Sequence, residues 1–223
     1  MKLSFVSTAA LVVAIMTVSG SALSDAPTSE FLESPPPMTS LPGISGSYGW
    51  NNPDIPLKQY DKVFLDEIQI FLAPDSPYKG IDAAQMAALT ATMRAVLTEK
   101  LEPDYPLVSQ TGTGVMRLSM AITNVKITKR KKRLINYTPV GLVVGGLRRL
   151  GDSFSNLSLK HAYVEAEFTD TQSGERLATR IATNPFAQSN LGEGKLSWEA
   201  LEAAFGFYAS EVRKGLDAAH AGK

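Results

Sequence analysis

Few residues of this chain have the types and spacing that catalysis requires. Glu165 and Glu167 alternate along a strand pattern, so their carboxylates would lie about 7 Å apart on one strand face. Paired carboxylates at such a distance could perform acid–base chemistry of the glycosidase kind. Both residues occupy the polar positions of the strand, however, and the pattern therefore favours a solvated surface.

Asp66 is the third carboxylate of interest, because it interrupts the apolar face of the first predicted strand. A local bulge is the interpretation that the pattern favours. An ion pair with a basic residue from a long insertion further along the chain is the alternative. If the protein were a hydrolase, Asp66 or the pair Glu165 and Glu167 would supply its chemistry.

Other catalytic and metal-binding patterns are missing from the sequence. The chain contains two histidines, His161 and His220, and no cysteine, so it offers neither a thiol nucleophile nor residues at metal-ligand spacing. The sequence TGTG at 111–114 precedes a strand, whereas a dinucleotide-binding loop must open a helix. No Ser-His-Asp set is found either. The sequence therefore predicts a protein that is not an enzyme and uses no cofactor or metal.

Hydrophobic periodicity predicts the elements that would position these residues. A first strand over residues 60–72 has an apolar face that consists of Phe64, Ile68, Ile70 and Leu72. Asp82 caps a helix over residues 83–101, and Gln85 completes a capping box. Its apolar stripe consists of Met86, Leu89, Met93, Val96, Leu97 and Leu101.

Three more strands and a helix follow. VMRLSMAITNVKI alternates as a half-buried strand, and HAYVEAEFTD and ERLATRIAT form a hairpin around the turn TQSG. Ser197 caps a last helix whose stripe consists of Trp198, Leu201, Phe205, Tyr208, Val212 and Leu216. The order β-α-β-β-β-α predicts an α+β two-layer sandwich, with a mainly antiparallel sheet and two helices packed on one face.

Composition divides the chain into three parts. Residues 1–24 contain Lys2, an apolar run and a small-residue site ending at Ser24, which is typical of a cleaved secretory signal peptide; a retained membrane anchor is the alternative. Residues 25–58 are rich in proline, glycine and serine and predict a tether that forms neither a ladder nor a helix. Residues 59–223 predict a single domain. Four residues are expected to dock parts of the tether on this domain: Phe31, Leu32, Tyr48 and Trp50.

A long insertion at 126–159 separates the second and third predicted strands. It opens with a run of basic residues, continues with an apolar stretch, and contains no acidic residue between Lys126 and Arg149. The apolar run is too short to span a bilayer, but a segment of this kind can lie on a membrane surface. The residues of this candidate membrane or partner surface are Lys129, Arg130, Lys131, Lys132, Arg133, Leu142, Val143, Leu147, Arg148 and Arg149.

The insertion has two other interpretations. A solvated loop, whose charges prevent edge pairing and whose apolar part folds over the sheet, fits the same residues. Nucleic acid is not expected, because the 22 basic residues are balanced by 22 acidic ones and Tyr137 is the one aromatic residue between Lys126 and Leu150.

Several segments resemble one bacterial family. SEFL near the start is followed in order by YDKVFLDEIQIF, MRLSMAITNV and VEAEFTDTQSGERLAT. From about Ser29 to Thr183 the chain resembles the family of domain of unknown function 3313, and EAEFTDTQSGERLA is the most specific piece. The resemblance implies a secreted envelope lipoprotein without assigned catalytic residues. Because no cysteine follows the signal, an N-terminal lipid anchor is not expected, and the protein would be soluble in the periplasm or envelope after cleavage.

These observations predict an exported envelope protein that acts as a non-catalytic binding or assembly module. Its partner would be an envelope protein or an anionic membrane surface. Two alternatives stay open: an envelope hydrolase that uses surface carboxylates, and a carrier of a small apolar ligand held between the sheet and the helices.

Overall fold

The computed structural model describes residues 26–129, 157–185 and 198–222, without the side chains of residues 198–201. The strands within these residues are β1 (Thr39–Ser40), β2 (Ser47–Asn51), β3 (Lys62–Leu65), β4 (Gln69–Leu72), β5 (Leu107–Val108), β6 (Val115–Lys129), β7 (Leu157–Asp170) and β8 (Arg176–Ala182). The helices are a 3-10 helix (Leu57–Gln59), α1 (Ala83–Leu101) and α2 (Trp198–His220).

The described strands form one open, mixed sheet. Its order is β1-β2-β8-β7-β6-β3-β5, and β4 also pairs with β6. The pairs from β1 to β6 are antiparallel, whereas β3 and β4 run parallel to β6, and β5 runs parallel to β3. With two helices packed on this sheet, the predicted α+β class is confirmed.

Helix α1 begins where the local sequence predicts. The Asp82 carboxylate accepts from the backbone N–H of Gln85 at 2.7 Å, and the Gln85 side chain accepts from the backbone N–H of Asp82 at 3.2 Å. This capping box satisfies donors that a helix start leaves without an intrahelical partner. Pro103 follows shortly after the last turn. The buried residues of the helix are Leu89, Met93, Leu97 and Leu101.

Both helices pack on one face of the sheet, which we call the inner face. The alternation predicted for β6 and β7 is confirmed there, and their buried inner residues are Met116, Leu118, Met120, Ile122, Ala162, Val164, Ala166 and Phe168. Helix α2 contributes the buried residues Ala204, Phe205, Ala209 and Leu216 to the same core. We call the opposite side of the sheet the outer face.

The predicted first strand is in fact two strands. The residues Asp66–Ile68 separate β3 from β4. In β3, Val63 and Leu65 are buried and Phe64 is half-buried. The prediction that Phe64 belongs to the core-facing side of this strand is therefore wrong. The three-residue break shifts the alternation by one position, and a pattern read continuously across it assigns the wrong face.

The segment 25–58, predicted to form no ladder, contributes a strand to the sheet. Strand β2 pairs antiparallel with β8 from Ser47 to Asn51. The prediction is wrong here because the prolines lie before and after β2 rather than within it, and five proline-free residues suffice to pair. The predicted docking residues are confirmed, since Phe31, Leu32, Tyr48 and Trp50 pack in a cluster with Met38 and Ile181. We call residues 26–38 the outer segment.

The insertion predicted at 126–159 begins later and ends earlier in the structure than predicted. Strand β6 continues to Lys129, strand β7 begins at Leu157, and Ile127 pairs with Leu159 in the ladder between them. Both residues of that pair are buried, because the sheet core extends further than the alternating pattern indicated. Residues 130–156 lie outside the described part of the chain, as does the predicted signal peptide at 1–24.

Candidate functional site

Glu165 is buried on the outer face of β7, with 1% of its surface exposed. Its carboxylate accepts hydrogen bonds from the hydroxyls of Ser29 and Thr123. The prediction that Glu165 is a solvated surface residue is therefore wrong. The physical reason is that the outer segment, which carries Ser29, covers this face of the sheet as a second layer.

Ser29 connects Glu165 to the turn that opens the outer segment. Its Oγ accepts from the backbone N–H groups of Phe31 at 3.1 Å and Leu32 at 2.6 Å while it donates to Glu165. Leu32 is buried against Ile181 and Met38. Both carboxylate oxygens of Glu165 thus have donors, and the carboxylate fastens the outer segment to the sheet.

Glu167 and its partner fasten the same segment at a second point. Arg176 Nε donates to Glu167 Oε1 at 2.5 Å. The same guanidinium donates to the backbone carbonyls of Glu33 at 2.8 Å and Ser34 at 3.1 Å. The predicted pair Glu165 and Glu167 therefore shares one strand face, as the spacing indicates, but both carboxylates hold chain segments together.

Asp66 lies in the break between β3 and β4. Ser119 Oγ donates to Asp66 Oδ2 at 2.5 Å, and Arg117 Nε lies 3.9 Å from Asp66 Oδ1. Among the described residues, the charged partner of Asp66 is therefore on β6 rather than in the insertion.

The two histidines pack against tyrosines. The His161 ring lies edge-on to Tyr163, with 4.8 Å between centroids, and burial lowers the pKa of His161. The His220 ring centroid lies 5.5 Å from that of Tyr105, and its Nδ1 is 2.9 Å from the carbonyl oxygen of Leu216. In the part of the chain that the structure describes, no three histidines and carboxylates converge as a metal site would require.

A cavity of about 120 Å³ lies between the inner face and the helices. Its walls are predominantly apolar, and they include Met93, Leu97, Met116, Met120, Phe205 and Leu216. An apolar cavity of about 150 Å³ in another protein stays free of water and binds benzene. The cavity of this protein is therefore large enough for a small apolar group.

Small residues at inward-facing positions keep the cavity open. They are Ala166, Ala178, Ala182 and Ala209, contributed by β7, β8 and α2. Side chains of this size do not reach across the space between the layers. Alanines at inner positions of consecutive elements are the signal that sequence reasoning could have used to predict the cavity.

Few polar groups reach the cavity. The hydroxyls of Ser47 and Tyr208 lie 3.2 Å apart, and burial raises the pKa of Tyr208. The charged lining residues are Arg180 and Glu211, and Glu211 is paired with Lys214 at 2.7 Å.

Arg180 lies at the edge of the cavity, across the strand pair β2–β8. Its register partner is Gly49, where a Cβ would come within 3.0 Å of Arg180 Cδ, so the glycine makes room for the side chain. Nη1 donates to the carbonyls of Trp50 at 2.8 Å and Thr179 at 2.7 Å, and Nη2 donates to Asn51 Oδ1 at 2.6 Å. Burial lowers the pKa of Arg180. No carboxylate of the described residues forms an ion pair with it.

The candidate membrane surface falls almost wholly outside the described residues. Lys129 is its described member, an exposed residue at the end of β6 whose Nζ lies 4.8 Å from the Tyr78 ring centroid. The members outside the described residues are Arg130, Lys131, Lys132, Arg133, Leu142, Val143, Leu147, Arg148 and Arg149. Of the described helices, none combines the length and the apolar character that crossing a membrane demands.

A family model described as "Protein of unknown function (DUF3313)" matches residues 28–212. The chain belongs to the DUF3313 family. The resemblance drawn from SEFL and the hairpin sequence is thereby confirmed. The match begins within the outer segment, so the layer that covers Glu165 is part of the DUF3313 region.

Other comparisons give weaker likenesses. None of the curated proteins matches the chain. A PelC dodecamer from Paraburkholderia phytofirmans is similar at 15% identity over 74% of this chain and 93% of that chain, with a TM-score of 0.34. A DUF4136 family protein from Bacteroides thetaiotaomicron is similar at 9% identity over 76% of this chain and 95% of that chain, with a TM-score of 0.38. Likenesses at this level transfer no function to this chain.

Proposed function

We propose that the protein is a non-catalytic binding module of the bacterial cell envelope, and that it holds a small apolar ligand in the cavity between the inner face and the helices. The cavity is the observation that carries the proposal. Ligand sites in proteins are clefts or cavities with mostly apolar walls and a few polar groups. This space between the layers is partly open to solvent and has walls of that kind.

The positions of the carboxylates support binding without catalysis. A general acid or base must lie within hydrogen-bond reach of the group on which it acts. Glu165 and Glu167 are on the outer face, across the sheet from the cavity, and both are engaged in holding the outer segment. Glu211, which does line the cavity, is paired with Lys214.

The envelope location rests on the sequence. Residues 1–24 have the pattern of a secretory signal peptide, and the resemblance to the DUF3313 family implies a secreted envelope protein. In this proposal the protein is exported and soluble after cleavage. The basic residues between Lys129 and Arg149 would bring it to an anionic membrane surface or to an envelope protein.

Calorimetric titration of the full chain with 1-octanol, a neutral apolar probe, tests the binding function. We expect saturable binding that weakens by about tenfold or more in Ala209→Leu, because the larger side chain occupies the cavity. Ala87→Leu, at an exposed position of α1, is the matched control and should bind as the wild type does. Absence of octanol binding, or equal binding by Ala209→Leu, contradicts the proposal.

Fractionation tests the location. The full chain, produced in a Gram-negative host with residues 1–24 in place, should appear in the periplasmic fraction. Retention of the intact chain in the cytoplasm contradicts the envelope assignment but does not affect the test of ligand binding.

A further inference from the structure

We infer that the ligand of the cavity is a single-chain amphiphile with a carboxylate head group, and that Arg180 binds this head. The inference rests on the proposed binding function and specifies the chemistry of the ligand. It concerns the head group of the ligand rather than its apolar part, because it derives from the charge of Arg180 at one edge of the cavity.

Among the described residues, Arg180 has N–H donors without an acceptor and a positive charge without an ion-pair partner. A guanidinium carries five N–H donors, and the described acceptors of Arg180 are the carbonyls of Trp50 and Thr179 and the side-chain oxygen of Asn51. All three acceptors are neutral, so they orient the guanidinium without neutralising it. Nε and part of Nη2 take no part in these bonds. The planar fork of a guanidinium matches a carboxylate in a bidentate arrangement.

The remaining charges of the lining favour an anion. Glu211 is the other charged residue of the cavity wall, and Lys214 already offsets its charge at 2.7 Å. Arg180 is therefore the charged lining residue without an ion-pair partner among the described residues. A carboxylate head would neutralise this charge, whereas a neutral or cationic head would not.

The polar groups of β2 and β8 lie at one side of the cavity, whereas the lining residues of β6 are apolar. Arg180 and Ser47 belong to the strand pair β2–β8, and Tyr208 hydrogen-bonds with Ser47. Strand β6 lies two places further along the sheet and contributes the apolar Met116 and Met120. This arrangement fits a molecule whose head lies at β2–β8 and whose tail points towards β6 and α1.

The volume sets the length of the tail. The cavity of about 120 Å³ is slightly smaller than an apolar cavity of about 150 Å³ that accommodates benzene, so about six carbons would be enclosed. Met93, Met116 and Met120 line this end, and flexible methionine side chains repack around tails of different shape.

Titration with three probes of one tail length tests the inference: octanoate, 1-octanol and octylammonium. We expect octanoate to bind the full chain about tenfold more tightly than 1-octanol, and octylammonium to bind most weakly. Arg180→Met should remove the preference for octanoate, and Arg180→Lys should retain part of it. Arg94→Met, which changes an arginine outside the cavity lining, is the matched control and should leave the preference unchanged.

The possible results separate the two proposals. If octanoate and 1-octanol bind the wild type equally, or if folded Arg180→Met keeps the preference, the head-group inference fails and the binding function stands. If the wild type binds none of the probes, both fail. The wild-type comparison among probes is decisive even if Arg180→Met does not fold.

Discussion

On the inner face of the sheet, apolar side chains of β6, β7 and β8 meet two helices and leave a cavity of about 120 Å³. On the outer face, the polar residues Thr123, Glu165 and Thr179 are buried beneath or beside a short stretch of chain. The inner layer is thus apolar and incompletely filled, while the outer layer combines buried polar groups with a small apolar cluster and is covered by the outer segment.

The comparison shows that the residues most suited to chemistry by type are not those at the candidate site. Glu165 and Glu167 form hydrogen bonds that hold the outer segment in place. Alanines and one arginine, none of which the sequence analysis identified as candidate site residues, border the cavity. In our proposal, function therefore follows from which face is closed by structural contacts and which is left open to a ligand.

Replacing Glu165 should produce the largest loss of stability on the outer face. Glu165→Ala removes an acceptor shared by two hydroxyls and leaves the Thr123 hydroxyl buried without it, so we expect the free energy of unfolding to fall by about 3 kcal/mol. Urea denaturation measures this change. Glu175→Ala, at an exposed position near the same hairpin, is the matched control and should change it by less than about 0.5 kcal/mol.

The same substitution should also loosen the outer segment. Limited proteolysis of Glu165→Ala should cleave residues 26–38 faster than in the wild type, because Ser29 loses its partner on the sheet. Equal stability and equal cleavage in Glu165→Ala and Glu175→Ala would mean that the buried carboxylate does not fasten this layer.

Leu32 supplies the apolar part of the same contact. Leu32→Ala should lower the free energy of unfolding by about 2 kcal/mol, at the low end of the range for buried leucines, since the thin outer layer can relax into the space. Thermal and urea denaturation measure the loss. A change below about 0.5 kcal/mol would show that the outer segment contributes little to the fold.

Filling the cavity should act in the opposite direction on the inner face. Ala209→Leu adds apolar surface where space is available, and we expect it to raise the free energy of unfolding by about 1 kcal/mol while it weakens octanol binding. A loss of stability greater than about 1 kcal/mol would indicate that the space beside Ala209 is already filled by its neighbours.

Sequence patterns predict those elements whose signals are local. The capping box of Asp82 and Gln85 fixes the start of α1, and the turn after Asp170 fixes the hairpin β7–β8. In that turn, Asp170 accepts from the backbone N–H groups of Gln172 at 2.8 Å and Ser173 at 2.7 Å. Alternation within β6 and β7 likewise predicts their inner face.

Features that depend on contacts distant in the chain escape the same reasoning. Ser29 and Glu165 are separated by 136 positions, so no local pattern shows that the outer segment buries this carboxylate. The break at Asp66 depends on Ser119 and Arg117 of a later strand. The cavity requires four alanines from three elements to face one another, which alternation alone does not indicate.

The most direct test of the account uses the methionine methyl groups as reporters on both faces. Met93, Met116 and Met120 line the cavity, whereas Met38 packs in the cluster on the outer face. In NMR spectra of methyl-labelled full chain titrated with 1-octanol, we expect the three cavity signals to shift saturably and the Met38 signal to stay in place. Shifts at Met38 without shifts at the cavity methionines would contradict the assignment of the inner face as the binding site.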